Sequence, residues 1–222
     1  MLHTQMTAMG NLCEKAITFS VEAIRGGGNQ AVRQVFDTDK EIDAKEREIE
    51  AQCMKLLLLQ QPVAGDLRRI SAALRMVADM ERIGDQAADI ADLSLYMDEA
   101  AVRVSADIAG IADATVRMVR DSVRAFVEAN LKLSRQVIDS DDIVDNAFND
   151  IKENLAKQIY EKKLDAHTAL DVLMTAKYFE RIGDHAVNIA EWVEFSITGE
   201  HRNNEHEYNF EKEMSMFTGG AK

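Results

Sequence analysis

The sequence predicts an all-α protein made of two tandem three-helix bundles related by internal duplication. Three observations predict it. Residues Glu81-Arg82-Ile83-Gly84-Asp85-Gln86-Ala87-Ala88-Asp89-Ile90-Ala91 recur as Glu180-Arg181-Ile182-Gly183-Asp184-His185-Ala186-Val187-Asn188-Ile189-Ala190, with eight identities at an offset of 99 in a chain of 222 residues. Self-similarity at a fixed offset marks repeated structural units. Ala, Leu, Ile, Glu, Asp and Arg dominate, with one proline and 6% aromatic residues, which favours helix over sheet. Finally, Val35, Ile42, Ile49 and Leu56 fall every seven residues, as in the seam of a helical bundle.

The first helix is expected over about residues 2–24 and ends at Gly26-Gly27-Gly28, because glycines do not sustain a helix and readily supply left-handed turns. A second helix follows over about residues 29–60. Pro62 and Gly65 then break the chain, and Asp66 is the expected N-cap of a third helix over 67–97. The second copy repeats the plan with helices over about 105–128, 131–162 and 166–197, and Asp165 takes the place of Asp66. Residues 1–100 and 101–199 thus form the two bundles, each large enough for its own core, and the polar, glycine-ended stretch 200–222 reads as a mobile tail.

Composition narrows the function. Apolar residues make up 46% of the chain, too many for a disordered protein. The formal charge is −13, and that field repels a phosphate backbone, so nucleic acid is excluded as a partner. The acidity suits solubility, cations or basic protein surfaces. Cys13 and Cys53 sit at apolar helical positions and read as buried free thiols. Residues 1–10 lack the apolar core of a signal peptide. No stretch of 18 apolar residues could span a membrane. A cytoplasmic location follows.

The repeated segment carries the candidate chemistry. With Glu81 at zero on a helical wheel, Asp85 lies near 40°, Asp89 near 80° and Asp92 near 20° (about 100° per residue). The apolar residues Met76, Met80, Ile83, Ala87 and Ile90 cluster on the other side, which places the carboxylates on an outer, solvent-facing stripe. Glu180, Asp184, Asn188 and Glu191 trace the equivalent stripe. Like charges one turn apart repel and weaken a helix by a few tenths of a kcal/mol per pair. A cation reverses that penalty by bridging carboxylate oxygens. The preceding helices add Asp39 and Asp43 in the first copy and Asp141 and Asp145 in the second. In the first copy Glu46 and Glu50 follow on nearly the same face, but Phe148 and Lys152 replace those two acids in the second. The candidate metal ligands are therefore Asp39, Asp43, Glu81, Asp85, Asp89, Asp141, Asp145, Glu180, Asp184 and Asn188. Oxygen donors favour Mg, Mn or Fe, and Zn remains open. Gly84 and Gly183, between core and stripe, read as points of close helix approach. His185 reads as an unremarkable exposed histidine. There is no phosphate loop, nucleophile elbow or Cys/His zinc spacing. A metalloenzyme and a purely structural scaffold stay open beside a metal-binding interaction protein.

The segment Gln61-Pro62-Val63-Ala64-Gly65-Asp66-Leu67-Arg68, followed by Glu81-Arg82-Ile83-Gly84-Asp85, resembles the PhoU family of phosphate-signalling regulators. Residues 180–191 resemble that family's second motif, and the resemblance covers about residues 2–199. It implies a non-enzymatic negative regulator of phosphate uptake and of the phosphate-starvation response. Such an adaptor couples the ATPase subunit of the phosphate ABC transporter to a sensor histidine kinase, and a homodimer counts among its expected assemblies. Some members carry multinuclear metal clusters on E-x-x-x-D motifs. The resemblance carries that role onto Glu81, Asp85, Glu180 and Asp184, with the acids of the neighbouring helix beside them. Asn188, standing where the first copy has Asp89, and the loss of acids at Phe148 and Lys152 make the two sites unequal.

Overall fold

The computed structural model describes residues 2–97, 101 and 108–201. Those residues are helical with short connections, and no strand occurs among them. The expected beginning of the fourth helix near residue 105 and the tail beyond residue 201 lie outside the described residues.

Helix α1, Leu2–Glu22, buries Met6, Met9, Cys13, Ala16 and Ile17, one face at helical spacing. It runs into a π-helical turn, Ala23–Gly27, in which Gly26 adopts φ 93°. Gly28, at φ 60°, opens α2, Gly28–Gln60. Only glycine holds both angles without strain, so the glycine run reverses the chain as expected. The seam residues Val35, Ile42 and Ile49 of α2 are fully buried. Gln61 takes a left-handed conformation before Pro62, and α3 spans Ala64–Ser94.

The N-cap of α3 is Val63, in extended backbone and without a side-chain cap. Asp66 therefore sits inside the first turn, correcting its expected capping role. Pro62 fixes the turn early and the helix starts before Asp66, whose charge is left to interact favourably with the helix dipole. In the second copy the cap is real: Asp165 accepts a hydrogen bond from the Thr168 amide at 3.0 Å.

Helix α4 spans Ile108–Glu128. The long helix expected over 131–162 is two helices, α5 (Leu131–Asp139, capped by Asn130) and α6 (Asp141–Tyr160). They divide at Ser140, whose hydroxyl donates to the Gln136 carbonyl at 2.7 Å. The equivalent Thr38 makes the same bond to the Gln34 carbonyl, at 2.7 Å, inside the unbroken α2, so back-bonding alone does not divide the helix. Helix α7, Ala166–Thr198, ends on Gly199 at φ 81°.

Helices α1, α2 and α3 pack on one another, as do α4, α5, α6 and α7, giving one three-helix set per copy with α5–α6 as the second member of the later set. The most extensive packing of all joins the two central helices, α3 and α7. They run antiparallel: Arg68 lies against Gly199, Arg75 over Trp192 and Asp79 beside His185. The buried apolar residues consequently form one continuous cluster across both copies, where separate cores were expected. No helix among the described residues is long and apolar enough to cross a membrane.

The arms of the two hairpins differ. Helix α2 extends two residues further past Asp39 than α6 extends past Asp141, and α3 begins three residues further ahead of Glu81 than α7 begins ahead of Glu180. Leu58 and Leu59 near the end of α2, and Val63 just before α3, are 70–75% exposed.

Candidate functional site

The first acidic cluster is built where α2 crosses α3. Gly84 makes the crossing possible: a Cβ there would lie 2.7 Å from Asp39 Oδ1 and 3.1 Å from the Ile42 δ-methyl. The glycine within Glu-Arg-Ile-Gly-Asp thus lets an α2 carboxylate rest against the α3 backbone. Asp39 Oδ1 is buried there without a hydrogen-bond partner. Burial raises its carboxyl pKa to about 6, helped by the fields of Asp43, Asp85, Glu81 and Asp89. Burial, then Asp85, also raises Glu81. Glu46, raised by burial and then by Glu81, extends the cluster along α2. Arg82 Nη1 lies 2.8 Å from Asp85 and its Nε 3.4 Å from Glu81, while Arg47 approaches Asp43 at 3.9 Å.

The second cluster repeats the arrangement where α6 crosses α7. A Cβ at Gly183 would meet the Val144 γ-methyl at 3.2 Å. Asp141 Oδ1 is again buried without a hydrogen-bond partner. Its pKa rises to about 6 through burial, then Asp145, Asp184 and Glu180. Asp184 is raised by burial and then by Glu180. Lys177 pairs with Glu180 at 2.5 Å. Phe148, where the first copy has Glu46, lies beneath the ammonium groups of Lys177 at 5.5 Å and Lys152 at 6.0 Å. The second cluster is thus narrower and partly neutralised by lysine.

These positions correct the expected outer stripe. The wheel separates the carboxylates from one buried face, but α3 and α7 are central helices with neighbours on several sides. Their acids therefore lie along half-buried interhelical seams: the side chains of Glu81 and Glu180 are only 21% and 13% exposed. Each seam brings together four of the expected residues, Asp39, Asp43, Glu81 and Asp85 in one and Asp141, Asp145, Glu180 and Asp184 in the other. Among the described residues no three His, Cys, Asp or Glu side chains converge into a preformed metal-binding group. The all-oxygen donor set and an orphaned buried oxygen at the equivalent place in each copy nevertheless fit a hard cation.

The remaining two expected residues point to the junction between the copies. Asn188 donates to Asp79 Oδ1 at 3.1 Å, and Nδ1 of His185 lies 2.9 Å from the same oxygen. Burial and then Asp85 raise the pKa of Asp89, and Arg181 opposes them. Asp89 in turn acts on Tyr178, which occupies the α7 position equivalent to Asp79. The pairs Asp79–Asn188 and Tyr178–Asp89 are thus related by a pseudo-twofold between the central helices. An open groove of about 640 Å³ lined by Arg82, Asp85, Gln86, Asp89, Arg181 and His185 lies on it. Asp79 and His185 meet across 106 residues of chain, and no spacing within one helix announces such a contact. The half-buried His185 is therefore a junction residue rather than an idle surface one.

The PhoU domain profile matches residues 6–94 and 108–193. The phosphate-specific transport system accessory protein PhoU homolog of Clostridium acetobutylicum is 34% identical over 200 residues, covering 89% of this chain and 91% of that protein. The homolog of the same description from Pseudomonas putida is 32% identical over 89% of this chain and 78% of its own length. The crystal structure of PhoU from Pseudomonas aeruginosa superposes with a TM-score of 0.81 at 29% identity, covering 90% of this chain and 96% of that one. The regulatory protein PhoU from Streptococcus pneumoniae shares the fold, with a TM-score of 0.82 at 21% identity over 91% and 96% of the two chains.

Proposed function

The chain belongs to the PhoU family, and on that premise we propose that it is a cytoplasmic negative regulator of phosphate uptake and of the phosphate-starvation response. It is a cation-binding adaptor, not an enzyme, between the ATPase subunit of the phosphate ABC transporter and a sensor histidine kinase. The observation that supports the cation is the pair of orphaned oxygens: Asp39 Oδ1 and Asp141 Oδ1 occupy the same place in the two copies, each buried among like charges. A native fold leaves a buried carboxylate oxygen unpaired at a cost, and here it does so at the equivalent position of both copies.

Asp39, Asp43, Glu81 and Asp85 would hold one ion or cluster, and Asp141, Asp145, Glu180 and Asp184 the other. Asp89 and Asn188 lie one turn further along, toward the junction. A bound cation supplies charge neutralisation and a bridge between neighbouring helices. The acidic faces then accept basic surfaces of the partners, an association that weakens with salt.

Elemental analysis of purified protein tests the cation. Asp85→Ala combined with Asp184→Ala is expected to lower Fe, Mn, Mg or Zn content while the helical signal is retained; unchanged content refutes the assignment. Deleting the gene is expected to switch on phosphate-starvation genes in phosphate-rich medium, and normal repression there refutes the regulatory role.

A further inference from the structure

We propose that the tip of the first hairpin, where α2 turns into α3, is a docking surface for an acidic, amphipathic segment of a partner protein. Leu58, Leu59 and Val63 are 75%, 70% and 73% exposed, and Met54 and Leu67 are about half exposed. Five large apolar side chains gathered at one end of a helical bundle form the kind of patch that marks an interaction site. Beside them opens a cavity of about 270 Å³ walled by Leu56, Pro62, Ile70 and Phe126, with His3, Gln60, Asp66 and Arg69 at its polar edge. A pocket of that character accepts an apolar anchor side chain.

Among the described residues the packing of the fold does not account for the patch. Val63 occupies the N-cap of α3 without capping it, whereas Asp165 caps α7 at the corresponding turn. An apolar residue there forgoes a stabilising hydrogen bond and stands in water. The local charge is also opposite to that of the chain. Lys55, Arg68 and Arg69 outnumber Asp66 at this tip in a protein of charge −13. Among the described residues none of the three forms an ion pair with a carboxylate, and Arg68 Nε is buried without a hydrogen-bond partner. The second hairpin tip also exposes apolar residues, Ile159, Tyr160, Leu170 and Met174, but Lys163 is paired there with Glu161 at 2.6 Å and Asp165 is engaged as a cap.

An apolar residue flanked by Asp or Glu satisfies both features of the first tip: it fills the cavity and brings carboxylates to Arg69 and Lys55. An anionic membrane would meet the same charges but has no use for a walled cavity. A second copy of this chain would present like charges if it docked tip to tip. The adaptor thereby gains a second contact surface opposite in character to its acidic seams.

The inference rests on the adaptor reading, and one experiment separates the two. The full chain is titrated calorimetrically with the transporter's ATPase subunit and with the kinase's sensing domain. The variants are Leu59→Ser with Val63→Ser, Arg69→Glu, and Leu170→Ser on the other tip as control. Sedimentation with phosphatidylglycerol vesicles and measurement of oligomeric state run alongside. The wild type is expected to bind at least one partner, and the double variant and Arg69→Glu are each expected to weaken that binding by about tenfold or more. Leu170→Ser should leave it unchanged. Because serine caps a helix better than valine does, the double variant should be no less stable, and lost affinity cannot then be assigned to unfolding. Arg69→Glu supplies an independent, charge-based arm.

A wild type that binds neither protein overturns the adaptor reading and this proposal with it. A wild type that binds, with both tip variants unaffected, overturns the docking surface and leaves the adaptor standing. Variants that lose only vesicle binding or only self-association make the tip a membrane or dimer contact, and also overturn the proposal.

Discussion

Removing the orphaned carboxylates should stabilise the cation-free protein, and only above the acid range. The perturbation is Asp39→Asn with Asp141→Asn, which keeps the shape of each side chain and removes its charge. Each carboxyl titrates at about 6 in the fold against 3.8 as the reference value. The fold therefore prefers the protonated form. Below the reference value both folded and unfolded chains hold the proton, and the two buried acids cost nothing. As pH rises through the window from about 4 to 6, the unfolded chain releases its protons first, so stability falls; above about 6 the loss is complete. A shift of roughly two units corresponds to about 3 kcal/mol per site as a ceiling. Both seams open to water, and screening reduces this to about 1 kcal/mol per site. The two sites lie in different seams and should add, giving about 2 kcal/mol for the double variant. For a chain of this size that is a rise in melting temperature of roughly 4–8 °C. Thermal unfolding followed by circular dichroism, with chelator, reads the effect at several pH values. The gap between variant and wild type should be near zero at about pH 4 and full above about pH 6. A gap that is constant with pH, or widest in acid, would refute the idea that burial among like charges destabilises these groups.

The glycines at the two crossings should respond differently to the same change. Gly84→Ala is expected to keep stability within about 1 kcal/mol, since alanine's helix propensity offsets the crowding. It should nevertheless displace the Asp39 carboxylate, 2.7 Å from the new methyl, and weaken cation binding at the first seam. Gly183→Ala meets only a valine methyl and should retain cation binding; calorimetric titration with Mn²⁺ compares the two, and equal losses would contradict the geometry. At the helix starts, Asp165→Ala should cost about 1 kcal/mol and Val63→Asp should return a similar amount, both read by urea unfolding.

Much of the architecture was legible because it depends on local pattern. The glycine run, Pro62 and the seven-residue seam of α2 act through neighbouring residues, and the duplicated segment announces itself. The break at Ser140 was hidden because Ser140 stands where α2 carries Thr38 and both hydroxyls make the same back-bond, so residue type marks no stop there. Asp66 misled because the cap position is decided by Pro62 and Gln61 ahead of it. The acidic residues were visible as a pattern, but their burial was not. A helical wheel knows which residues share a face, and it does not know how many neighbours surround the helix. The Asp79–His185 contact depends on how one copy docks against the other, which spacing within a helix does not encode.

The unequal hairpin arms carry an evolutionary consequence. Duplication leaves two identical hairpins, and the later gain or loss of residues must be absorbed somewhere. Two residues in one arm and three in the other correspond to about 3–5 Å of length and to rotations that are not whole turns. An indel between the seam and the core would have swung every downstream carboxylate to another face. Placed beyond the seams, the same indel alters only the reach and facing of the tips. The crossings at Gly84 and Gly183 thus divide each hairpin into a segment whose register is frozen and a segment that natural selection can lengthen, shorten and resurface independently in the two copies.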